Sequence, residues 1–413
     1  MKKMTKTNSV IKTLSKYSID IESLDPKCII EFKNKVKYLS DSRQKGKKKY
    51  KIWDIVVVTF ICVLANCNDW EEIHNFARAK YSWFKSFLKL TGGIPSAKTY
   101  ERVFSIINPN ELEDICVLFA TDVLKIFSPK VDILNIDGKV DKASSRNENE
   151  LRDSIKALNV LNVYSNNLNM CVASEMIHDK TNEIPTIPVI LKRLNIKDSI
   201  ITWDALNTQK DNVKAVINGK GDYVVALKSN QPNFYDEVVL YFDDKRLDTI
   251  KAGNSKSAYL KTIEKSHSSS IKYEYFQTED ISWFEDLKSW KGLKSIGLVK
   301  KTILKNGKET VEKRYYISSL YLNIKLFSNA IRKHWSVENK LHWQLDFTFK
   351  QDNNTTLNKK ALFNLQIIKK LALALLNKVK NIYDMSLKGL RFIISINFEQ
   401  EILRFFNILA HNN

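Results

Sequence analysis

The stretch VDILNIDGKV (131–140) reads as a buried strand that closes on an acid, Asp137. Two β-rich runs follow, NVLNVYSNN (159–167) and NMCVASEMI (169–177), with a polar Asn-Asn turn between them. IPTIPVILKRLN (184–195) is a helix with a proline near its start. DSIITWDALN (198–207) is another strand ending in an acid, Asp204. TQKDNVKAVINGKG (208–221) is a helix closed by Gly219 and Gly221, and DYVVALKSN (222–230) is a further strand with a polar end. Three strands, a helix, a strand, a helix and a strand make a mixed α/β order. Ligand sites in open α/β sheets favour the carboxyl ends of strands, where Asp137 and Asp204 both stand. A lone acid there is more often a cap or turn residue; two of them make that reading less comfortable.

A third acid lies far downstream in IRKHWSVENKLHWQLDFTFKQD (331–352). On a helix, Val337, Leu341 and Leu345 fall on one face, with Glu338 at its edge and His334 and His342 flanking it. A carboxylate beside a core-facing stripe is costly to bury unless paired, and a divalent cation is one such partner. Three carboxylates without thiols suit a hard, oxygen-liganded ion such as Mg²⁺. Two such ions about 4 Å apart would activate an attacking oxygen and stabilise the leaving oxygen of a phosphodiester.

The totals fit a polyanionic partner. The chain has 413 residues, 44% of them apolar, and a formal net charge of +20. That is enough for two or three domains with a sizeable core, and the charge favours nucleic acid. Lys greatly outnumbers Arg, which reads partly as coding bias. The cysteines (Cys28, Cys62, Cys67, Cys116, Cys171) are scattered with no CxxC pair, so neither a zinc ribbon nor a disulfide framework is indicated, and reduced thiols in a cytoplasm are expected. The longest apolar run, Ile55 to Ala65, has 11 residues, too short to span a bilayer and suited to a core helix. The N-terminus shows no signal-peptide pattern.

Residues 1–127 look all-helical apart from their polar start. SRQKGKKKYK (42–51) carries six basic residues in ten, either a solvated loop or a phosphate contact. Gly92-Gly93-Ile94-Pro95 breaks the run, Ser96 is a plausible N-cap, and Asn108-Pro109 ends the next helix. Residues 250–320 alternate in strand fashion, with a hairpin turn at Asn306-Gly307. After them, 325–350, 359–380 and the last 30 residues are helical in pattern.

Taken together, IDGK (136–139), KTNEIP (180–185), TWDALNTQK (202–210), GDYVVALKSNQPNFYDEV (221–238), RYYISSL (314–320) and HWSVENKLHWQLDFTF (334–349) resemble the DDE transposases of bacterial insertion sequences, specifically the H-repeat-associated branch. GGIPSAKTYERVFSIINP (92–109) resembles the helical N-terminal domain that accompanies them, and the likeness spans roughly 30–380. The resemblance implies an RNase H-like mixed-sheet catalytic core with a β-rich insertion and an all-helical N-terminal domain. It implies that Asp137, Asp204 and Glu338 bind two Mg²⁺ ions, for which Mn²⁺ substitutes, and that the partner is DNA, bound by a homodimer, with no membrane involved. The expected division is a helical DNA-binding or accessory domain over 1–127, core over 128–235, β-rich insertion over 236–320, core again over 321–380 and a helical tail over 381–413.

Candidate DNA contacts are Lys139 and Lys142 after the first acid; Lys228, Asn230 and Gln231 in a polar loop; and Arg332, His334, Trp335, Asn339, Lys340 and His342 around the last acid. A surface lysine and a core-anchoring Trp335 or Trp343 are the plainer readings, against phosphate contact or base stacking. The histidines are read as hydrogen-bonding or phosphate-contacting groups rather than metal ligands, and Asp346 and Asp352 as solvated or capping acids. The sequence departs from the family pattern in three places. VDKAS stands where a Thr and an Arg-Gly-Ser run are usual, leaving Lys142 to serve for the Arg; SHSSS surrounds His267 in place of a Gly-His-Gly-Arg motif; and Leu345 stands where many relatives have Lys. A metal-dependent nuclease without strand transfer and a catalytically inactive DNA-binding derivative are the alternatives.

Overall fold

The computed structural model describes residues 27–44, 46, 48–124, 132–146, 155–178, 182–253, 255–266 and 269–411. His267, Pro129, and Lys45 and Lys47 of the basic run lie outside the described residues.

The strand read from 131–140 is β1 (Ile133–Asp141), and it sits inside the sheet. It pairs antiparallel with β2 (Leu158–Ser165), which pairs antiparallel with β3 (Met170–Met176). On its other side β1 runs parallel to β4 (Ile200–Thr202), and β4 runs parallel to β5 (Asp222–Leu227). The crossovers are α-helical, over Glu183–Leu191 between β3 and β4 and Lys210–Asn218 between β4 and β5. The order β3-β2-β1-β4-β5, with β1, β4 and β5 parallel and β2 and β3 antiparallel, is the RNase H-like arrangement.

Beyond β5 the chain forms helices over Pro232–Tyr241 and Asp244–Ala252 before the strands expected from the alternation. Those strands are β6 (Ser257–Ser266), β7 (Ser269–Thr278), β8 (Ser295–Lys305) and β9 (Lys308–Ser318). The tight β8–β9 turn is Asn306-Gly307, both at positive φ (49° and 74°), as a two-residue hairpin loop requires. The strands form no separate sheet: β9 pairs with β5, so all nine lie in the order β3-β2-β1-β4-β5-β9-β8-β7-β6. The insertion therefore widens the core sheet on the side where Asp204 stands.

One face of the sheet is covered by the crossover helices, where Leu134, Ile136 and Ile201 pack with Ile187, Val213 and Val216. The other face receives the helix Ile324–Val337, whose Phe327, Ala330 and Ile331 pack against Ile133, Ile200 and Val224. A separate core joins the two ends of the chain: residues between Cys28 and Leu124 pack with residues between Ala361 and Leu409, and with Leu158, Val160 and Met170 of β2 and β3. The apolar run lies in the helix Ile52–Leu64, buried on all sides as its length suggested. Ser96 stands at the N-cap of the helix Ala97–Phe104, although its hydroxyl meets that of Thr99 rather than a backbone amide. Lys359–Val379 is also buried nearly all round, including Lys369 and Lys370; Lys370 Nζ meets Asn162 Oδ1 at 2.5 Å and Ser174 Oγ at 2.7 Å. Among the described residues, no helix is long and apolar enough to cross a membrane.

Candidate active site

Strand alternation brings the first two acids together. Ile133 lies opposite Ile200 and Asn135 opposite Thr202 across the parallel β1–β4 pair. Asp137 and Asp204 each lie four residues beyond Ile133 and Ile200, so both fall on the face covered by Ile324–Val337. The chain stays extended at Asp204 (φ −72°, ψ 158°), so Trp203 turns into the core while Asp204 turns to the opposite face. The side chains of Asn135 and Thr202 meet at 2.6 Å just behind the acids.

Glu338 arrives from the covering helix. That helix does not run on as regular α-helix: Glu338–His342 is a π-helical turn, followed by Trp343–Phe349. Val337, Leu341 and Leu345 are buried as the stripe predicted, but the Glu338 side chain is 69% exposed. The acid that is taken out of water is Asp137, with a side chain 26% exposed.

His342 is buried beside two of the carboxylates, Nδ1 lying 3.2 Å from Glu338 Oε2 and 3.4 Å from Asp137 Oδ2. His334 serves the third, with Nε2 3.4 Å from Asp204 Oδ1 and Nδ1 3.0 Å from Thr202 Oγ1. Burial, reinforced by Asp204, Glu183 and Glu338 and opposed by His334, pushes Asp137 up to about 7. Asp204 is held below the usual carboxylate range, first by its hydrogen bond to His334. Burial pushes His342 down to about 4, against the pull of Glu338. A cation among the acids would favour the ionised form of the buried Asp137. The donor set fits one: ligand atoms of Asp137, Glu338 and His342 all lie within 4.8 Å of one another.

The three acids line one open cleft of about 470 Å³. Its far wall comes from the inserted strands, with Tyr273 of β7, Lys301 of β8 and Arg314 of β9. Arg314 also lies over the Trp335 ring, 5.2 Å from its centre, and Trp335 packs beside Tyr273. An adjoining hollow of about 400 Å³ shares Asp204, Arg314 and His334 and brings in Lys228. The cleft is thus acidic on its floor and basic on its wall.

The remaining predicted residues take varied places. Asn230 Nδ2 donates to the Ala205 carbonyl at 2.8 Å, and Gln231 Nε2 donates to that of Thr208 at 3.2 Å, so both brace the loop after Asp204. Lys139 has a side chain only 9% exposed and is held by Asp346 at 2.6 Å and Asp352 at 3.2 Å. Lys142 is exposed in the short turn after β1, away from the cleft lining. Arg332 pairs with Glu264 of β6 and covers the Tyr273 ring. Asn339 and Lys340 line a different cleft of about 500 Å³, together with Lys378 and Lys380. Trp343 is 47% exposed and stacks on Phe347, so it is not a core anchor.

Arg314, Lys301 and Glu183 were not picked out from sequence. Arg314 opens the RYYISSL segment and Glu183 lies within KTNEIP, so both stood inside motifs already marked. Glu183 Oε2 accepts from Asn207 Nδ2 at 2.7 Å, tying that helix to the Asp204 loop. A Cβ added at Gly138 would meet the Glu183 carboxylate.

A family model described as "Transposase DDE domain" matches residues 130–375, and one described as "DDE_Tnp_1-associated" matches residues 34–120. The chain belongs to the DDE transposase family. Its relatives include "Putative transposase YncI" of Escherichia coli O157:H7, 31% identical over 84% of this chain and 87% of that protein. "H repeat-associated putative transposase YhhI" of Escherichia coli K12 is 31% identical over 78% of this chain and 85% of that one. Among solved structures, the piggyBac transposase in a synaptic complex with hairpin DNA aligns at TM-score 0.32 and 12% identity, over 94% of this chain and 79% of that one. The RNase H-like character of the chain lies in its strand order and sense.

Proposed function

We propose that this chain is the transposase of an insertion sequence, cutting DNA at the element's ends and joining the freed 3′-hydroxyls to target DNA. The observation that carries the reading is the convergence of Asp137, Asp204 and Glu338 on one cleft whose opposite wall is basic. In this reading Asp137, Asp204 and Glu338 would hold two Mg²⁺ ions, for which Mn²⁺ would substitute. Such ions, when bound, polarise the phosphodiester and lower the pKa of the attacking water or hydroxyl.

The chain's own groups do the rest. Arg314 and Lys301 neutralise the phosphate from the wall, and Lys228 extends that charge into the adjoining hollow. His334 keeps Asp204 ionised, while Asn230 and Gln231 hold the loop that carries it. Lys340, Lys378 and Lys380 line a cleft with no carboxylate among its described lining residues, suited to the backbone of flanking DNA. The N-terminal segment over 1–127, largely helical where it is described, binds the terminal inverted repeats or assists pairing of two copies, since two ends must be held together. The protein acts in the bacterial cytoplasm on nucleoid DNA.

The test is a strand-transfer assay with the element's own ends in Mg²⁺ or Mn²⁺. Joined products are expected from the wild type and none from Asp204→Asn, which should still bind ends. Cleavage without joining would make the chain a nuclease, and end binding with neither would leave a DNA-binding derivative.

A further inference from the structure

We infer that His342 is a ligand of the cation held between Asp137 and Glu338, giving that position two oxygen donors and one nitrogen and a preference for Mn²⁺ over Mg²⁺. The inference rests on the transposase reading only for the presence of a cation.

Distances carry it first. Octahedral ligands at about 2.1 Å from an ion lie about 3.0 Å apart when they are neighbours. The His342 Nδ1 separations of 3.2 Å to Glu338 Oε2 and 3.4 Å to Asp137 Oδ2 are close to two such edges, and all three ligand atoms fall within 4.8 Å. An ion placed among them needs only small closing movements of side chains, and Glu338 is exposed enough to make them.

Burial carries it second. His342 is 4% exposed, and its buried Nε2 has no hydrogen-bond partner among the described residues. Whichever nitrogen holds the proton, one side of the ring has surrendered hydration for nothing. The ring is held there with Nδ1 facing both carboxylates, and when Nε2 carries the proton the Nδ1 lone pair points at two oxygens, an arrangement that a cation between them relieves. The backbone agrees: the π-helical turn Glu338–His342 presents an acid and an imidazole at i, i+4 to one point, and such turns recur at functional sites.

The donor set then decides the preference. Mg²⁺ favours oxygen and dehydrates reluctantly, whereas an imidazole nitrogen favours ions later in the first-row series. Across the cleft His334 Nε2 lies 3.4 Å from Asp204 Oδ1, but among the described residues three ligand atoms gather within 4.8 Å only at Asp137, Glu338 and His342. The two cation positions are therefore unequal.

The experiment is pulsed EPR of Mn²⁺ added to the metal-free full-length protein, prepared with natural and with ¹⁵N-labelled histidine. One directly bound imidazole nitrogen is expected, its coupling changing with the isotope. His342→Gln should lose the coupling and bind Mn²⁺ about tenfold more weakly, with Mg²⁺ affinity changing less; His334→Gln should keep it. Tight Mn²⁺ binding by the wild type without a bound nitrogen overturns the inference, and that measurement needs no variant to fold. So does a coupling that survives His342→Gln and disappears in His334→Gln. A protein that shows the His342 coupling but neither cuts nor joins DNA keeps the ligand and loses the transposase reading. One that joins ends with a nitrogen-free spectrum keeps the reading and loses the ligand.

Discussion

Replacing Asp137 by Asn should make the metal-free protein more stable at mildly alkaline pH, not less. The folded protein holds Asp137 at about 7 against an ordinary value of 3.8, because its carboxylate is buried beside Asp204, Glu183 and Glu338. Between those values the folded chain keeps a proton that the unfolded chain has released, so stability falls as pH rises through the window. About three pKa units at about 1.4 kcal/mol each gives a loss on the order of 4 kcal/mol, complete above about pH 7. The asparagine amide carries no charge but still loses about 1–2 kcal/mol of hydration on burial. The net gain for Asp137→Asn is then about 2–3 kcal/mol near pH 8 in chelator, and about zero or slightly negative near pH 4, where the wild-type acid is protonated in the fold.

Urea unfolding followed by tryptophan fluorescence, at both pH values and with or without Mg²⁺, reads these terms. Saturating Mg²⁺ should bring the two proteins about level near pH 8, since an ion at about a hundred times its Kd adds about 2.7 kcal/mol to the wild type alone. A variant less stable than the wild type in chelator near pH 8 would refute the reasoning. So would a Mg²⁺ effect equal in both proteins.

Four further substitutions probe the surroundings of the acids. Lys139→Met leaves Asp346 and Asp352 facing each other without their shared cation, and should cost about 2 kcal/mol in the same urea assay, less than a fully buried pair because both acids are partly exposed. Gly138→Ala displaces the Glu183 carboxylate from Asn207 and should slow strand transfer by up to about tenfold while leaving the far-UV circular dichroism unchanged. Arg314→Ala should weaken DNA binding and lower the slope of log K against log salt by about 1, measured by fluorescence anisotropy. His334→Ala removes the hydrogen bond that keeps Asp204 ionised, so Asp204 takes up its proton at higher pH; Mg²⁺ binding, followed by calorimetry, should then begin to fail at a higher pH as the solution is acidified.

The parts legible in the sequence were those with a local period. Strand alternation in VDILNIDGKV and DSIITWDALN is enough to put Asp137 and Asp204 at strand ends, and the parallel register then sets them side by side. The hairpin at Asn306-Gly307 is equally local. What was not legible depends on pairing over long separations. Nothing in SIGLVKKTIL or RYYISSL says that β9 will pair with β5, yet that pairing brings Arg314 and Lys301 over the acids. Lys139 reads as a surface base because its partners Asp346 and Asp352 lie more than 200 residues away. Asn230 and Gln231 read as a DNA-contacting loop, whereas their amides turn to the carbonyls of the loop that carries Asp204.

The irregular turn at Glu338 has a signal of its own, in the spacing of its stripe. Val337, Leu341, Leu345 and Phe349 are all buried and follow one another every four residues. On a regular α-helix of about 3.6 residues per turn, each such step drifts by about 40°, and three steps would carry Phe349 about 120° away from Val337. A wider π turn winds back part of that drift and keeps the stripe in one core. The same turn marks where the helix changes neighbours. Upstream, Phe327, Ala330 and Ile331 pack on the sheet; downstream, Leu345 and Phe349 pack among the terminal helices. Glu338 stands at the junction, so its position opposite Asp137 is set by two cores at once. A void made in either core should therefore displace the acid, and sites as remote as Phe327 and Leu345 become determinants of the cleft's geometry without touching it.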